Sequence, residues 1–290
     1  MAAAGSSWRF VQLRPGSHPM RRLATALIEQ ASLQPREGDG AEALGFLNAT
    51  LRRGPLGLVE ALDHTPLPSQ TNLLILVDQF EEIFRFRREG DRDEADAFVA
   101  LLIASPRQRS LPIYVAITMR SDFIGDCAVF NGLPEMLNQS QYLTPRLSRE
   151  QQRSAIVGPA RVFGGDVEPE LVNSLLNHMG TDPDQLPLMQ HLLMRIWTCT
   201  EASEQTAGRL LTMRTCEDVG GLKHALSKHL DEAYAELDDR QQHLAEIFFR
   251  RLSERGADLR DVRRPTAVKE IEALTGASLE EVVAVVDASV

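Results

Sequence analysis

The chain has 290 residues, of which 43% are hydrophobic and 25% are charged, as in an ordinary soluble globular protein of one large or several small domains. Its formal net charge of −10 argues against non-specific binding to nucleic acid or to an anionic membrane. Three cysteines without CxxC spacing cannot all pair, which favours a reducing cytoplasm. The sequence shows neither the apolar run of a transmembrane helix nor the pattern of a signal peptide.

Strand and helix patterns alternate through the first half of the chain. Strands are predicted over residues 8–13, 73–77 and 112–118, with a short fourth strand at 141–144. The helices predicted between them cover residues 18–29, 41–52, 56–62 and 93–104. This alternation predicts right-handed βαβ units and therefore an α/β fold with a parallel sheet.

Beyond about residue 150 the strand pattern gives way to helices. They are predicted over residues 149–160, 169–179, 186–200, 222–237, 239–253, 266–274 and 279–290. Ser148 with Gln151, and Ser278 with Glu281, have the spacing of capping boxes. The last helices and a basic break between them resemble a winged-helix module. We therefore predict an α/β core (1–147), a helical lid domain (148–236) and a partial winged-helix domain (237–290).

The stretch at residues 73–82 carries most of the functional information. Five apolar residues lead directly into Asp78 and an acidic cluster, as in a buried parallel strand that delivers a carboxylate at its end. Ligands of open α/β sheets bind beyond the carboxyl ends of strands, and in nucleotide hydrolases an aspartate at this position binds Mg²⁺. The alternative interpretation is a core strand followed by an exposed acidic helix start.

Three further residues are candidates for the same site. Arg120 follows the next strand and could contact phosphate, although an ion pair with Asp122 or Glu81 is the alternative. Glu81 and Glu82 follow Asp78 by three and four residues, so one of them could orient a water near a γ-phosphate. For Glu82 the alternative is a solvated first helical turn, which the helix dipole favours.

Five segments, in order along nearly the whole chain, resemble the novel STAND NTPase type 1 family, which consists of signal-transduction ATPases of the P-loop class. They are VQLRPG at 11–16, VDQFEE at 77–82, TMRSDF at 118–123, QLPL through a tryptophan at 185–197, and GGL with a following AL at 220–226. The resemblance implies that Asp78 binds Mg²⁺, that Glu81 or Glu82 positions the water, that Arg120 is a sensor, and that Pro187 lies near adenine. Otherwise Pro187 simply starts a helix.

The phosphate-binding motif of that class, GxxxxGK[ST], does not occur in the sequence. Since the family carries it just before the strand at Trp8, we expect a fragment that begins after the P-loop and ends in or near the winged helix. Intact relatives would use ATP or ADP with Mg²⁺, whereas this chain would bind neither tightly. The expected partners are a P-loop segment and an effector domain upstream, WD-repeat-type sensor repeats downstream, and other copies of the chain.

The resemblance thus predicts part of a signalling ATPase. In an intact relative, ADP would hold a closed state, and exchange for ATP would allow oligomerisation and effector activation. A nucleotide-free interaction scaffold is the alternative that the absent motif favours. The third alternative is a DNA-binding regulator that uses the winged helix, which the acidic net charge disfavours. Its phosphate contacts would come from Arg250, Arg251, Arg255, Arg260, Arg263 and Arg264.

Overall fold

The computed structural model describes residues 7–31, 40–108, 111–179, 185–201, 208–255, 261–263, 266 and 268–288. The chain divides into two compact units between Thr144 and Pro145. The first unit contains a parallel α/β sheet, as predicted, and the second is mostly helical. No helix in the described part of the chain is long and apolar enough to cross a bilayer.

The sheet of the first unit has three parallel strands in the order β1-β2-β3. These strands are β1 (Ser7–Leu13), β2 (Thr71–Val77) and β3 (Ile113–Ile117). In the register, Leu13 lies beside Val77, which in turn lies beside Ile117, so all three strands end at the same level. The prediction of parallel neighbours is confirmed. The central strand is apolar on both faces because helices cover both faces of a parallel sheet.

Six α-helices surround this sheet within the described residues of the first unit. They are α1 (Pro19–Ala31), α2 (Gly40–Leu51), α3 (Gly57–His64), α4 (Glu82–Glu89), α5 (Arg92–Ala104) and α6 (Leu133–Ser140). One apolar core joins most of them to the strands, and Phe80, Leu73 and Ile75 are fully buried in it. Helix α6 was not predicted, and α4 was anticipated only as the acidic helix start considered as the alternative after Asp78.

The strand predicted at 141–144 is wrong. This segment is irregular, and the side chains of Tyr142 and Leu143 are 82% and 74% exposed. A β-strand requires a neighbour with which to exchange backbone hydrogen bonds. Among the described residues, none pairs with this segment, and β3 pairs only with β2. A groove of about 660 Å³ lies between β3 and the segment, with Leu133 and Leu137 of α6 in its wall.

Eight α-helices are described in the second unit. They are α7 (Arg149–Val162), α8 (Pro169–His178), α9 (Gln185–Glu201), α10 (Met213–Asp218), α11 (Gly221–Glu236), α12 (Asp239–Leu252), α13 (Val268–Thr275) and α14 (Leu279–Ala288). Both predicted capping boxes form, at Ser148 with Gln151 and at Ser278 with Glu281. Helices α7 to α11 share one apolar core, and α12 to α14 share another.

Strands also occur beyond residue 150, where only helices were expected. They are β4 (Asp166–Val167), parallel to β5 (Leu210–Leu211), and β6 (Ser253–Arg255), antiparallel to β7 (Asp261–Arg263). Strands of two or three residues are too short to show an alternating pattern. The hairpin of β6 and β7 follows α12 and precedes α13, and the winged-helix assignment stays a prediction.

Phe80 offers a test of how the core fixes the loop after β2. Its ring is fully buried and meets Phe84 edge-on at a centroid distance of 5.9 Å. We expect Phe80→Ala to lower the free energy of unfolding by about 3–5 kcal/mol, because it leaves a cavity. Hydrogen exchange of the β2 amides measures the loss. Phe10→Ala, at a position 61% exposed, is the control and should cost less than about 1 kcal/mol; equal losses would contradict this view of the core.

Candidate functional site

The carboxyl edge of the sheet is continued by backbone hydrogen bonds beyond the strand ends. The Asp78 N–H donates to the Leu13 carbonyl at 2.8 Å, and the Thr118 N–H donates to the Val77 carbonyl at 3.0 Å. Asp78 is therefore held between the end of β1 and the end of β3. Its position follows from the register of the three strands.

Two side chains engage the Asp78 carboxylate. The Thr118 hydroxyl donates to Oδ1 at 2.6 Å, and the Nε atom of Arg14 lies 3.6 Å from Oδ2. The hydrogen bond from Thr118 is the main cause that holds the pKa of Asp78 below its ordinary value of 3.8. Burial opposes this effect, and the charge of Arg14 and the Gln79 N–H lower the pKa by smaller amounts. The carboxylate is consequently ionised at neutral pH, and it remains 28% exposed.

The turn after Asp78 has a strained backbone. Gln79 adopts φ = +53°, a left-handed conformation that costs a non-glycine residue about 1 kcal/mol or more. Thr118 holds this turn as well, because its hydroxyl accepts the Gln79 N–H at 3.2 Å and its carbonyl accepts the Phe80 N–H at 2.9 Å. With Phe80 buried in the core, the strain cannot relax by moving the turn.

The two glutamates after the turn have different environments. Glu82 accepts the Gly16 N–H on Oε2 at 2.9 Å and so ties α4 to the turn that follows β1. The Oε2 atom of Glu81 is buried and has no hydrogen-bond partner in the described part of the chain. A buried carboxylate oxygen without a donor is unfavourable for stability. The structure thereby separates two residues that the sequence left equivalent.

Arg120 lies at the same edge, two residues beyond Thr118. It donates to both carboxylate oxygens of Asp122, at 3.1 and 2.9 Å, and its guanidinium lies 5.9 Å from the centre of the Phe123 ring. Its hydrogen bonds lower the pKa of Asp122. The ion pair considered as an alternative is thus present, while the sensor role stays a prediction.

Pro187 belongs to the second unit, where it lies in the first turn of α9. It borders an apolar pocket of about 530 Å³ between α7 and α9. The rings of Phe163 and Trp197 line the same pocket with their centroids 6.2 Å apart. Pro187 is the third residue of α9, within the first turn, where a helix tolerates proline, and it also contributes to the apolar lining of this pocket.

The carboxylate at the sheet edge fits a metal site in which most of the other ligands come from a nucleotide and water. No cluster of three or more His, Cys, Asp or Glu residues that could hold a metal occurs among the described residues. Mg²⁺ in nucleotide sites uses one or two carboxylates, with phosphate oxygens and waters as its other ligands. The ionised and accessible carboxylate of Asp78 fits that requirement, with Thr118 fixing its orientation.

Sequence reasoning did not assign roles to Arg14 and Thr118. Both residues directly follow strands, as Asp78 does, so the alignment of strand ends was a signal that could have identified them. Glu81 could not have been separated from Glu82 in this way. Their difference depends on the turn at Gln79, which no local pattern encodes.

An open parallel sheet with polar residues at its carboxyl edge is an architecture of nucleotide-binding α/β proteins. The family model for Novel STAND NTPase 1 matches residues 1–289. The chain therefore belongs to the novel STAND NTPase 1 family, as the sequence motifs indicated. It shares with that family the general character of a nucleotide-binding signalling NTPase.

Two further comparisons add little to this assignment. No curated protein sequence matches the chain. Among solved structures, the ORC2 protein of Aeropyrum pernix, determined as ADPNP-ADP complexes, is 12% identical with a TM-score of 0.49. The similarity covers 98% of this chain and 70% of that one. At this level it carries no argument about fold or function.

The hydrogen bond from Thr118 to Asp78 can be tested by titration. Thr118→Val removes the hydroxyl but keeps the side-chain shape, so the pKa of Asp78 should rise towards 3.8. A carboxyl group whose pKa is lowered in the folded state stabilises the fold at pH values above the unfolded pKa. The valine variant should therefore be less stable than the wild type at neutral pH, and this difference should disappear as the pH falls below about 3.8. Carboxyl ¹³C NMR measures the shift. Thr118→Ser is the control and should restore the low pKa; an unchanged pKa in the valine variant would contradict the assignment.

Proposed function

We propose that this chain supplies the Mg²⁺-binding and water-orienting side of a nucleotide-hydrolysing centre in a STAND signalling ATPase. The observation that carries the proposal is the ionised carboxylate of Asp78, held by Thr118 where β2 ends, with the unpartnered oxygen of Glu81 three residues later. Membership of an NTPase family supports it.

Each side chain has a defined part in this proposal. A bound Mg²⁺ would neutralise phosphate charge, and Asp78 would be its protein ligand. Thr118 would keep the carboxylate oriented, and the Arg14 guanidinium would give up its contact with Asp78 to a bound cation. Glu81 would orient the attacking water through its carboxylate. Glu82 is structural, because its carboxylate already holds the Gly16 N–H.

The remaining contacts to a nucleotide follow from the family resemblance. The P-loop segment that it implies would hold the phosphates, so this chain by itself binds nucleotide weakly. Arg120 would leave Asp122 to sense the γ-phosphate. The apolar pocket beside Pro187, with the rings of Phe163 and Trp197, suits a purine. Residues 148–236 and 237–290 would act as the lid and winged-helix domains of an ADP/ATP switch that controls oligomerisation.

Binding of a divalent cation with nucleotide tests the role of Asp78. With millimolar ATP and Mn²⁺ in place of Mg²⁺, we expect paramagnetic broadening of the Gln79 and Phe80 amide signals in NMR spectra of the 290-residue chain. Asp78→Asn, which keeps the shape but loses the charge, should abolish it. Asp63→Asn removes the same charge from an exposed position at the end of α3 and should leave the broadening unchanged. Equal broadening in the Asp78 variant, or none in the wild type, would contradict the proposal.

Stability measurements distinguish the two glutamates. Glu82→Gln loses a charge-assisted hydrogen bond to Gly16 and should lower the free energy of unfolding by about 1 kcal/mol. Glu81→Gln should leave stability unchanged or raise it, because it neutralises a carboxylate whose Oε2 atom is buried without a donor. Urea unfolding of matched variants compares them. A larger loss for Glu81→Gln than for Glu82→Gln would show that Glu81 is the structural residue instead.

A further inference from the structure

The start of α1 carries the wrong sign of charge for a helix. Amino-terminal turns favour acidic side chains, since the helix dipole is positive there, and each cation at this end costs about 0.3–1 kcal/mol. The first turn of α1 has no acidic residue. It contains Arg21 and Arg22 instead, with His18 immediately before the helix. Glu94 from α5 accepts the Met20 N–H and so offsets part of this positive end, but no acidic side chain pairs with Arg21 or Arg22 among the described residues.

These side chains line one pocket. A cavity of about 680 Å³ between β1 and α1 is bordered by Arg14, His18, Arg21 and Arg22, and Glu29 is the acidic residue in its lining. The whole chain has a net charge of −10, so this concave surface is positive against an acidic background. A concave positive surface concentrates field lines and attracts anions.

The acidic residues nearest to this pocket are already engaged. Asp78 faces Arg14, Glu82 accepts the Gly16 N–H, and Glu94 accepts the Met20 N–H at 3.2 Å while pairing with Arg52. The side chains of Arg21 and Arg22, by contrast, make no hydrogen bond or ion pair with any described residue. Two guanidinium groups thus retain their full donor capacity within one cavity.

The frame that carries these arginines is rigid. Gly16 has φ = +57° in a turn that Glu82 fixes, and the Arg22 guanidinium lies over it, with Nε 3.5 Å from the position that a Cβ atom would take. Helix α1 is anchored by the fully buried side chains of Leu23 and Leu27. A ligand would therefore meet cations whose backbone positions are already set, which lowers the entropic cost of binding.

We propose that this pocket binds a phosphate monoester or diphosphate group, at a site separate from the metal site at Asp78. Arginine forks match the oxygen geometry of phosphate, and the Ser17 hydroxyl in the lining offers a further donor. The positive charge of Arg21 and Arg22 equals the negative charge of a phosphate dianion. Arg14 lies between the two sites and is shared by them, because it borders the pocket and contacts Asp78.

Calorimetry of the full chain with pyrophosphate, and separately with inorganic phosphate, tests the pocket. EDTA keeps divalent cations from Asp78, and sodium chloride holds the ionic strength constant. We expect saturable binding that Arg21→Gln and Arg22→Gln each weaken by about tenfold or more, the loss of a charge-assisted hydrogen bond. Arg88→Gln removes one charge from an exposed position on α4 and is the matched control, with unchanged affinity.

The outcomes separate this proposal from the metal site. Binding of both probes supports a monoester ligand, and binding of pyrophosphate alone supports a diphosphate. Retained binding in Asp78→Asn shows that the pocket acts independently of the proposed hydrolytic centre, whereas loss of binding there overturns a separate site. The absence of saturable binding, or an equal weakening by Arg88→Gln, overturns the proposal altogether.

Discussion

The common level at which three parallel strands end is the constraint on which the rest of the site depends. Because β1, β2 and β3 are in register, the residue after each strand lies beside the residues after its neighbours. Those residues are Arg14, Asp78 and Thr118. A cation, an anion and a hydroxyl are thereby brought together by topology, and the carboxylate between them is ionised. A shift of one residue in either strand pair would separate them.

Several features of this edge are unfavourable for stability and are held by the core. Gln79 has a left-handed backbone, and Glu81 buries an oxygen without a donor. The burial of Phe80 and the double role of Thr118 keep the turn at Gln79 in place. Strain of this kind, maintained by surrounding packing, is characteristic of functional sites.

The sequence was sufficient for the parallel sheet, most helices and both capping boxes, because strong periodicity and end signals encode them locally. It was insufficient where the outcome depends on distant partners. The segment at 141–144 has strand-like residues but no neighbour with which to pair, and β4 and β5 exist only because they meet each other. Within the site, the position of Asp78 followed from its strand, whereas the difference between Glu81 and Glu82 required the turn and its hydrogen bonds.

The role that we propose for the carboxyl edge of the sheet at Asp78 is to hold a divalent cation together with a nucleotide. Crystals of the chain soaked with Mn²⁺ and ATP test it most directly, because anomalous scattering locates the metal. We expect an anomalous peak coordinated by the Asp78 carboxylate, with Arg14 displaced from that carboxylate. A peak elsewhere, with the pair between Arg14 and Asp78 intact, would contradict it.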